Sequence, residues 1–475
     1  MLNMDRLFHP RSIAIAGAPA KPMSPVARLF LSPMLSFGYQ GRIYPVNPRA
    51  TEIMGLKAYP NLKAIPEHVE YVICAVSRHL TAQVVQDAVD IGAGVVTLFT
   101  SGYSESGTEE GKLEEKKLVA MARRGGVRLI GPNCLGLHCP EAGISLEGFI
   151  PRESGKISYL CQSGGNAQDF ILAAAERRIF LRKLVSFGNA ADLNESDFLE
   201  HFAEDEGTQI VTMYLEGVKE PRRFAKALRQ AAARKPVILL KGGRGKAATQ
   251  TVVSHTGSLA GNWPVWDSLC RQMGCIQVKN LEELVDCSTA FAYLKPPHGK
   301  RVGIINMGGG SSVLAADEFE DAGLEIPPCP PEVVREMTTL IPGVGMGFRN
   351  PIDSSSDLFF NPALLAESIG IMSRWDGVDL LVVCVPAVGG VKTTTEIFRQ
   401  AISGVVLGSR QIDKPLAVVL RKGRLGKGEK LVYEVQDDCV KAGLPVFGSF
   451  SSAARAIGRY ASYYDRRNQA AQPSR

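Results

Sequence analysis

The sequence predicts an α/β chain of parallel sheets with helices on both faces. Three observations carry this. Short apolar runs rich in β-branched residues recur without alternating polarity, as strands buried on both faces do. Amphipathic stretches of helical length separate them. Several of the runs end directly in a glycine turn, the usual junction from a strand into a helix.

The first runs are Ser12–Ala16, closed by Gly17-Ala18-Pro19, then Ile43–Val46, Tyr71–Val76, Val95–Phe99 and Val127–Ile130. A helical pattern at 26–35 separates the first two. Together they make one doubly wound domain over residues 1–145. The irregular stretch Gly143–Lys156 reads as a linker. A second rhythm runs through Ile157–Cys161, Ile210–Leu215 and Val237–Leu240, and Pro296-Pro297 closes it, giving residues 146–297. A third fills 298–465, and 466–475 read as a frayed tail.

The second and third segments look like a duplicated flavodoxin-like unit. Each opens with a strand and a glycine turn, Gln162-Ser163-Gly164-Gly165 and Gly308-Gly309-Gly310-Ser311. Each has an Asn-x-x-Asp segment, Asn189–Asp192 and Asn350–Asp353. Each then has Lys-Pro, a strand and a basic glycine loop, starting at Lys235 and at Lys414.

Composition narrows the function classes. The chain has 475 residues, 45% hydrophobic and 21% charged, ordinary globular values that exclude disordered and fibrous architectures. No apolar run approaches the ~18 residues of a membrane span, and the first residues lack the pattern of a secretory signal. A net charge of +6 suits small anionic ligands and is no nucleic-acid footprint. The ten cysteines are scattered, without the usual zinc-ligand spacing, so a reducing cytoplasm with neither disulfides nor a structural metal is expected.

A glycine turn at a helix start leaves backbone N–H groups free at the positive end of the helix dipole, an anion site that needs no charged side chain. Ser163, Gly164 and Gly165, and Gly309, Gly310 and Ser311, fit this pattern. Gly243-Arg244-Gly245-Lys246-Ala247 imitates a nucleotide phosphate loop but has Ala247 where a magnesium-binding hydroxyl belongs. His255 is one of seven histidines and sits among small and hydroxylic residues in Ser254-His255-Thr256-Gly257-Ser258. Its two readings are a loop histidine capping a neighbour and a nucleophilic imidazole. Glu216 ends the run Met213-Tyr214-Leu215, where a carboxylate faces the crevice of an α/β sheet. A carboxylate bonded to one imidazole nitrogen fixes the tautomer and frees the other.

The chain resembles the alpha subunit of the NDP-forming acyl-CoA synthetases, related to succinyl-CoA synthetase. The resemblance runs over nearly all of it, on Phe8-His9-Pro10-Arg11-Ser12, Tyr44-Pro45-Val46-Asn47-Pro48-Arg49, Gly131-Pro132-Asn133-Cys134, Gln162-Ser163-Gly164, Ser254–Gly261 and Asn350-Pro351-Ile352-Asp353. It implies a CoA-binding Rossmann-like domain followed by two flavodoxin-like, succinyl-CoA-synthetase-like domains. The implied activity is carboxylic acid + ATP + CoA ⇌ acyl-CoA + ADP + phosphate, through an acyl phosphate and a phosphohistidine.

By resemblance His255 is the phosphorylated histidine and Glu216 the carboxylate that orients it, with the two glycine turns holding the phosphate. CoA lies along Gly17, Ala18, Pro19, Arg49, Val76, Ser77, Ser101, Gly102 and Asn133. ATP or ADP, with Mg, belongs to an ATP-grasp beta subunit, which makes a hetero-oligomer. Gly165-Asn166 stand where Ala-Leu is usual, and Ser311-Ser312 where Pro-Gly is usual, which points to an unusual acid. The alternatives are a non-catalytic CoA or acyl-CoA sensor, which has no need of His255 and Glu216, and an NAD-dependent oxidoreductase, for which Gly17 lacks the companion glycines.

Overall fold

A computed structural model of the chain describes residues 3–19, 24, 26–248, 263–341, 348–354, 356–385, 392–421 and 429–471. His255 therefore lies outside the described residues. The chain divides into two compact units. One holds Met1–Ala175 and Ile179–Leu281, the other Glu176–Arg178 and Glu282–Arg475.

The first unit contains two sheets. The first sheet has five parallel strands: β1 (Ser12–Ala16), β2 (Arg42–Val46), β3 (Tyr71–Cys74), β4 (Val95–Leu98) and β5 (Arg128–Ile130). Their spatial order is β2-β1-β3-β4-β5. β1, β3 and β4 are buried at every position, which is why these runs carry no alternation.

The second sheet contains β6 (Gly136–His138), β7 (Ile157–Cys161), β8 (Leu181–Ser186), β9 (Ile210–Leu215), β10 (Val237–Lys241) and β11 (Ile276–Val278), in the order β11-β10-β9-β7-β8-β6. β6 pairs antiparallel with β8. The sequence groups it with the strands before it, yet it edges the sheet that follows.

The second unit holds a third parallel sheet: β12 (Val302–Met307), β13 (Ile352–Ser354), β14 (Leu380–Val385), β15 (Leu416–Leu420) and β16 (Val446–Phe447), in the order β13-β12-β14-β15-β16. The parallel strands of all three sheets thus follow one order, 2-1-3-4-5. This order reverses direction between its first and third strands, where open α/β sheets bind ligands.

Asn189 and Asp192 bind the two sheets of the first unit together. The Asp192 carboxylate is fully buried. It accepts from Arg128 Nε at 2.8 Å, Arg123 Nε at 2.6 Å and the Leu129 amide at 2.8 Å. Burial alone raises the pKa of Asp192, but Arg128, the Leu129 N–H and Arg123 together hold it below the usual carboxylate range. Asn189 Nδ2 donates to Glu115 at 2.8 Å and to Ser104 at 3.1 Å. Asn350 and Asp353 do something different. Asn350 precedes the second strand of its sheet and pins β12 through the Ile304 amide and the Val302 carbonyl. The two Asn-x-x-Asp segments are therefore not equivalent, although the glycine turns after β7 and β12 each follow the first parallel strand of their sheet.

The helix Leu281–Tyr293 packs, from Glu282 onward, within the second unit, although the rhythm of the sequence assigns it to the segment before. Glu283 pairs with Arg459 at 2.7 Å and Arg455 at 3.3 Å, and Phe291 stacks its ring among Tyr460, Tyr463 and Tyr464. The same aromatic group, with Arg467 donating to the Tyr463 hydroxyl at 2.6 Å, carries the last helix, Phe450–Ala471, through residues expected to fray. All ten cysteines are free thiols, nine of them buried. No described helix is long and apolar enough to cross a membrane.

Two buried histidines make the first unit acid-sensitive. Burial pushes His138 in β6 down to about 3. Burial and the Lys183 charge push His201 down to about 4. Both folded values lie below the unfolded value of about 6.5. The unfolded chain therefore takes up more protons in that window. The neutral rings contribute their full stability above pH 6.5, and it is lost as pH falls toward 4, by roughly 2–3 kcal/mol per histidine at pH 4.5. The urea midpoint is expected to fall steeply between pH 6.5 and 4.5; a flat midpoint there would contradict the buried neutral state.

Candidate active site

Glu216 is the first residue past β9, and Gln162-Ser163 follow β7, the neighbouring strand. The two strands pair with Tyr214 opposite Cys161, so both ends reach the crevice where the strand order reverses. The Gln162 side chain ties these ends together. Its Oε1 accepts from the Glu216 amide at 2.7 Å and the Gly217 amide at 3.1 Å. The Tyr214 hydroxyl donates to Glu216 Oε1 at 3.1 Å. Burial and the nearby Glu216 charge raise the Tyr214 pKa, so this hydroxyl keeps its proton.

Glu216 itself is buried, with 4% of its surface exposed. Lys241 ends β10, also buried, and donates from Nζ to the Glu216 carbonyl at 2.7 Å and to the Gly242 carbonyl. Burial pushes the Lys241 ammonium down to about 8, against an upward pull from the Glu216 charge. Gly242 makes room for this group. A Cβ there meets the Tyr214 hydroxyl at 2.8 Å and Glu216 Cγ at 3.4 Å.

The helix Gly164–Glu176 starts immediately after this turn. Its first-turn N–H groups have no intrahelical acceptor, which is the physical basis of an anion site. Ser163 Oγ accepts from the Asn166 amide at 3.4 Å, so the hydroxyl serves the helix start. The two glycines differ. A Cβ on Gly164 meets Leu135 at 3.0 Å, so packing selects glycine there, whereas Gly165 faces open space.

The turn after β12 is built otherwise. Gly308 has φ +99° and donates its N–H to Asp353 Oδ1 at 2.8 Å. Buried Asn306 donates to Ser311 Oγ at 2.8 Å and Ser312 Oγ at 3.0 Å. The Ser311 amide turns back to the Gly308 carbonyl at 3.1 Å. Ser311 is thus occupied within the turn, and only the Gly309 and Gly310 amides of the expected set keep the geometry of anion donors. A carboxylate, Asp353, already sits at this helix start.

The nine residues expected to meet CoA stand together along one edge of the first sheet. Gly17, Ala18 and Pro19 follow β1, Arg49 follows β2, Val76 and Ser77 follow β3, Ser101 and Gly102 follow β4, and Asn133 follows β5. This is the carboxyl edge. Gly17 has φ +89°, and a Cβ there meets the Ala75 carbonyl oxygen at 2.6 Å, so only glycine allows the turn to lie against β3. The Asn47 side chain ties the first two turns, donating to the Ala18 carbonyl at 2.8 Å and accepting from the Arg49 amide at 2.8 Å. Arg49 is exposed beside them. A close backbone turn next to an exposed guanidinium fits a phosphate-bearing ligand such as CoA. Arg49→Glu is expected to weaken CoA binding roughly tenfold or more by charge reversal; unchanged affinity in calorimetry removes Arg49 from the site.

The sequence reading missed Tyr214, Lys241 and the side-chain role of Gln162. Tyr214 was within reach, because residues two apart on a strand share a face. Lys241 and Gln162 meet Glu216 only across neighbouring strands. His255 belongs to the segment between Ala248 and Trp263, which follows β10 and Lys241 in the chain. Among the described residues no group of three or more His, Cys, Asp or Glu side chains is placed to hold a metal ion.

Comparison with known proteins agrees with this layout. Residues 11–140 match the CoA binding domain family, and residues 154–291 match the succinyl-CoA ligase like flavodoxin domain family. The alpha subunit of acetate–CoA ligase (ADP-forming) II of Pyrococcus furiosus is 30% identical over 94% of this chain and 94% of its own length. Acetate–CoA ligase (ADP-forming) I of Archaeoglobus fulgidus is 34% identical over 80% of this chain, which spans 54% of that protein. Among solved structures, the dinucleotide forming acetyl-coenzyme A synthetase 1 of Ca. Korarchaeum cryptofilum, in complex with phosphate and ADP, superposes with a TM-score of 0.84 at 28% identity, covering 100% of both chains. On that full-length likeness the chain belongs to the family of ADP-forming acyl-CoA ligase alpha subunits, which are acid–thiol ligases.

Proposed function

We propose that this chain handles the acyl and phosphoryl groups of the reaction carboxylic acid + ATP + CoA ⇌ acyl-CoA + ADP + phosphate, and that His255 carries the phosphoryl group between two half-reactions. The observation that carries the proposal is Glu216. Its carboxylate is buried, held by the Tyr214 hydroxyl, and set at the ligand crevice beside the Gln162–Gly165 helix start. A carboxylate fixed in this way suits one task well: holding one imidazole nitrogen while the other attacks phosphorus.

Phosphoryl transfer asks of a protein chiefly positioning and charge stabilisation. The Gly164 and Gly165 amides supply the latter without a competing nucleophile. The Gly309 and Gly310 amides, in the second unit, carry the same donor chemistry. Tyr214 holds the Glu216 carboxylate, and Gln162 fixes the backbone that carries it. CoA binds along the carboxyl edge of the first sheet, with Arg49 near its phosphates and its thiol end leading past Ser77 and Ser101. The carboxylic acid and acyl-CoA are the remaining substrates on this chain.

ATP or ADP, with Mg, is bound by an ATP-grasp beta subunit, so the working enzyme is a hetero-oligomer. The unpaired cysteines agree with a reducing, cytoplasmic setting. The test is reconstitution. The purified chain is expected to form no ATP from acyl-CoA, phosphate and ADP, and to do so once an ATP-grasp subunit of this family is added. Turnover by the chain alone removes the two-subunit reading.

A further inference from the structure

A cleft of about 740 Å³ opens at the amino ends of the strands of the first sheet, on the edge opposite the expected CoA residues. Arg11 precedes β1, Tyr71 opens β3, Val95 opens β4 and Arg128 opens β5, and all four line it. Arg6 and Arg123 complete its basic wall. We propose that this cleft is a second ligand site, separate from the ligase chemistry, that takes a small phosphate-bearing polyanion.

The charge count favours such a ligand. Four guanidinium groups line the cleft, and two carboxylates offset them. Glu70 accepts from Arg11 Nε at 2.8 Å and from the Arg11 amide at 2.8 Å. Asp192, behind the wall, accepts from Arg128 Nε and Nη2 and from Arg123 Nε. Arg6 is exposed and makes no ion pair with a described residue. Two positive charges therefore remain uncompensated.

The same carboxylates hold three of the guanidiniums in place before any ligand arrives, which lowers the entropic cost of binding. Arginine forks so fixed match the geometry of phosphate oxygens, and a ligand with two or more negative charges neutralises the surplus. Buried Leu7, Tyr71 and Val95 add an apolar floor, and the volume falls in the range of roughly 300–1,000 Å³ typical of small-molecule sites.

Calorimetry of the full chain with inorganic pyrophosphate tests the site. Saturable binding is expected to persist in Arg49→Glu, where the CoA edge on the opposite side no longer competes for the probe, and in that background to weaken at least about tenfold on adding Arg6→Glu and less on adding Arg6→Ala. Arg6 has no ion pair to lose among the described residues, so both variants are expected to fold, and circular dichroism checks this. Absence of saturable binding, equal binding by the Arg6 variants, or loss only in Arg49→Glu overturns the proposal. Because the assay needs neither turnover nor the beta subunit, it stands or falls apart from the ligase reading.

Discussion

His255→Ala is expected to lose the phosphoryl label entirely. With acyl-CoA and phosphate, or with ATP and an ATP-grasp subunit of this family, the unaltered chain is expected to take up an acid-labile, base-stable phosphate, the signature of a phosphoramidate on imidazole. The alanine chain has no acceptor. Its overall rate drops by about three orders of magnitude or more, as when a covalent nucleophile is removed. CoA affinity is expected to stay the same, because the expected CoA residues all lie on the first sheet, while His255 follows β10 of the second. That combination separates a relay defect from misfolding. Labelling at the unaltered level in the alanine chain would falsify the relay and reopen the sensor reading.

Glu216→Gln comes next in size. Glutamine keeps the shape, and the Tyr214 hydroxyl keeps an acceptor, so the fold and the crevice persist. What disappears is the negative charge that, in the proposed relay, stabilises the imidazolium character developing as the ring attacks. Labelling is expected to slow by about 10²–10³-fold, as when a preorganised electrostatic group is removed. A second readout is independent of turnover. The Glu216 charge pulls the Lys241 ammonium upward, so its loss leaves Lys241 titrating below about 8. Normal labelling with a shifted Lys241 removes Glu216 from the relay while confirming that its charge acts on Lys241; an unmoved Lys241 disproves that pull, since the bond from Nζ to the residue's backbone carbonyl is kept in the glutamine chain.

Much of this was legible in the residues. The unalternating runs mark strands buried on both faces, and the glycines after Ala16, Gln162-Ser163 and Met307 mark strand-to-helix turns. Glu216 at the end of an apolar run faces a ligand crevice because parallel α/β sheets bind at their carboxyl ends. Each of these features is local, set by periodicity and turn chemistry over a few neighbouring residues.

What depended on the partner across space was not legible. Asn189–Asp192 and Asn350–Asp353 share a pattern, yet Asp192 closes on Arg128 of the first sheet and Arg123 of the helix before it, and Asp353 caps the Gly308 turn. Spacing can state that a carboxylate is present; only the tertiary structure brings it a cation or an amide. The same holds for β6, which pairs with a later strand, for the helix Leu281–Tyr293, whose Glu283 finds Arg455 and Arg459, and for Lys241 beneath Glu216. The sequence by itself determined the strands, the turns, the family motifs and the candidate nucleophile with its carboxylate. The packed chain decided which charges are buried together, because burial and pairing arise between segments far apart in sequence and no local pattern encodes them.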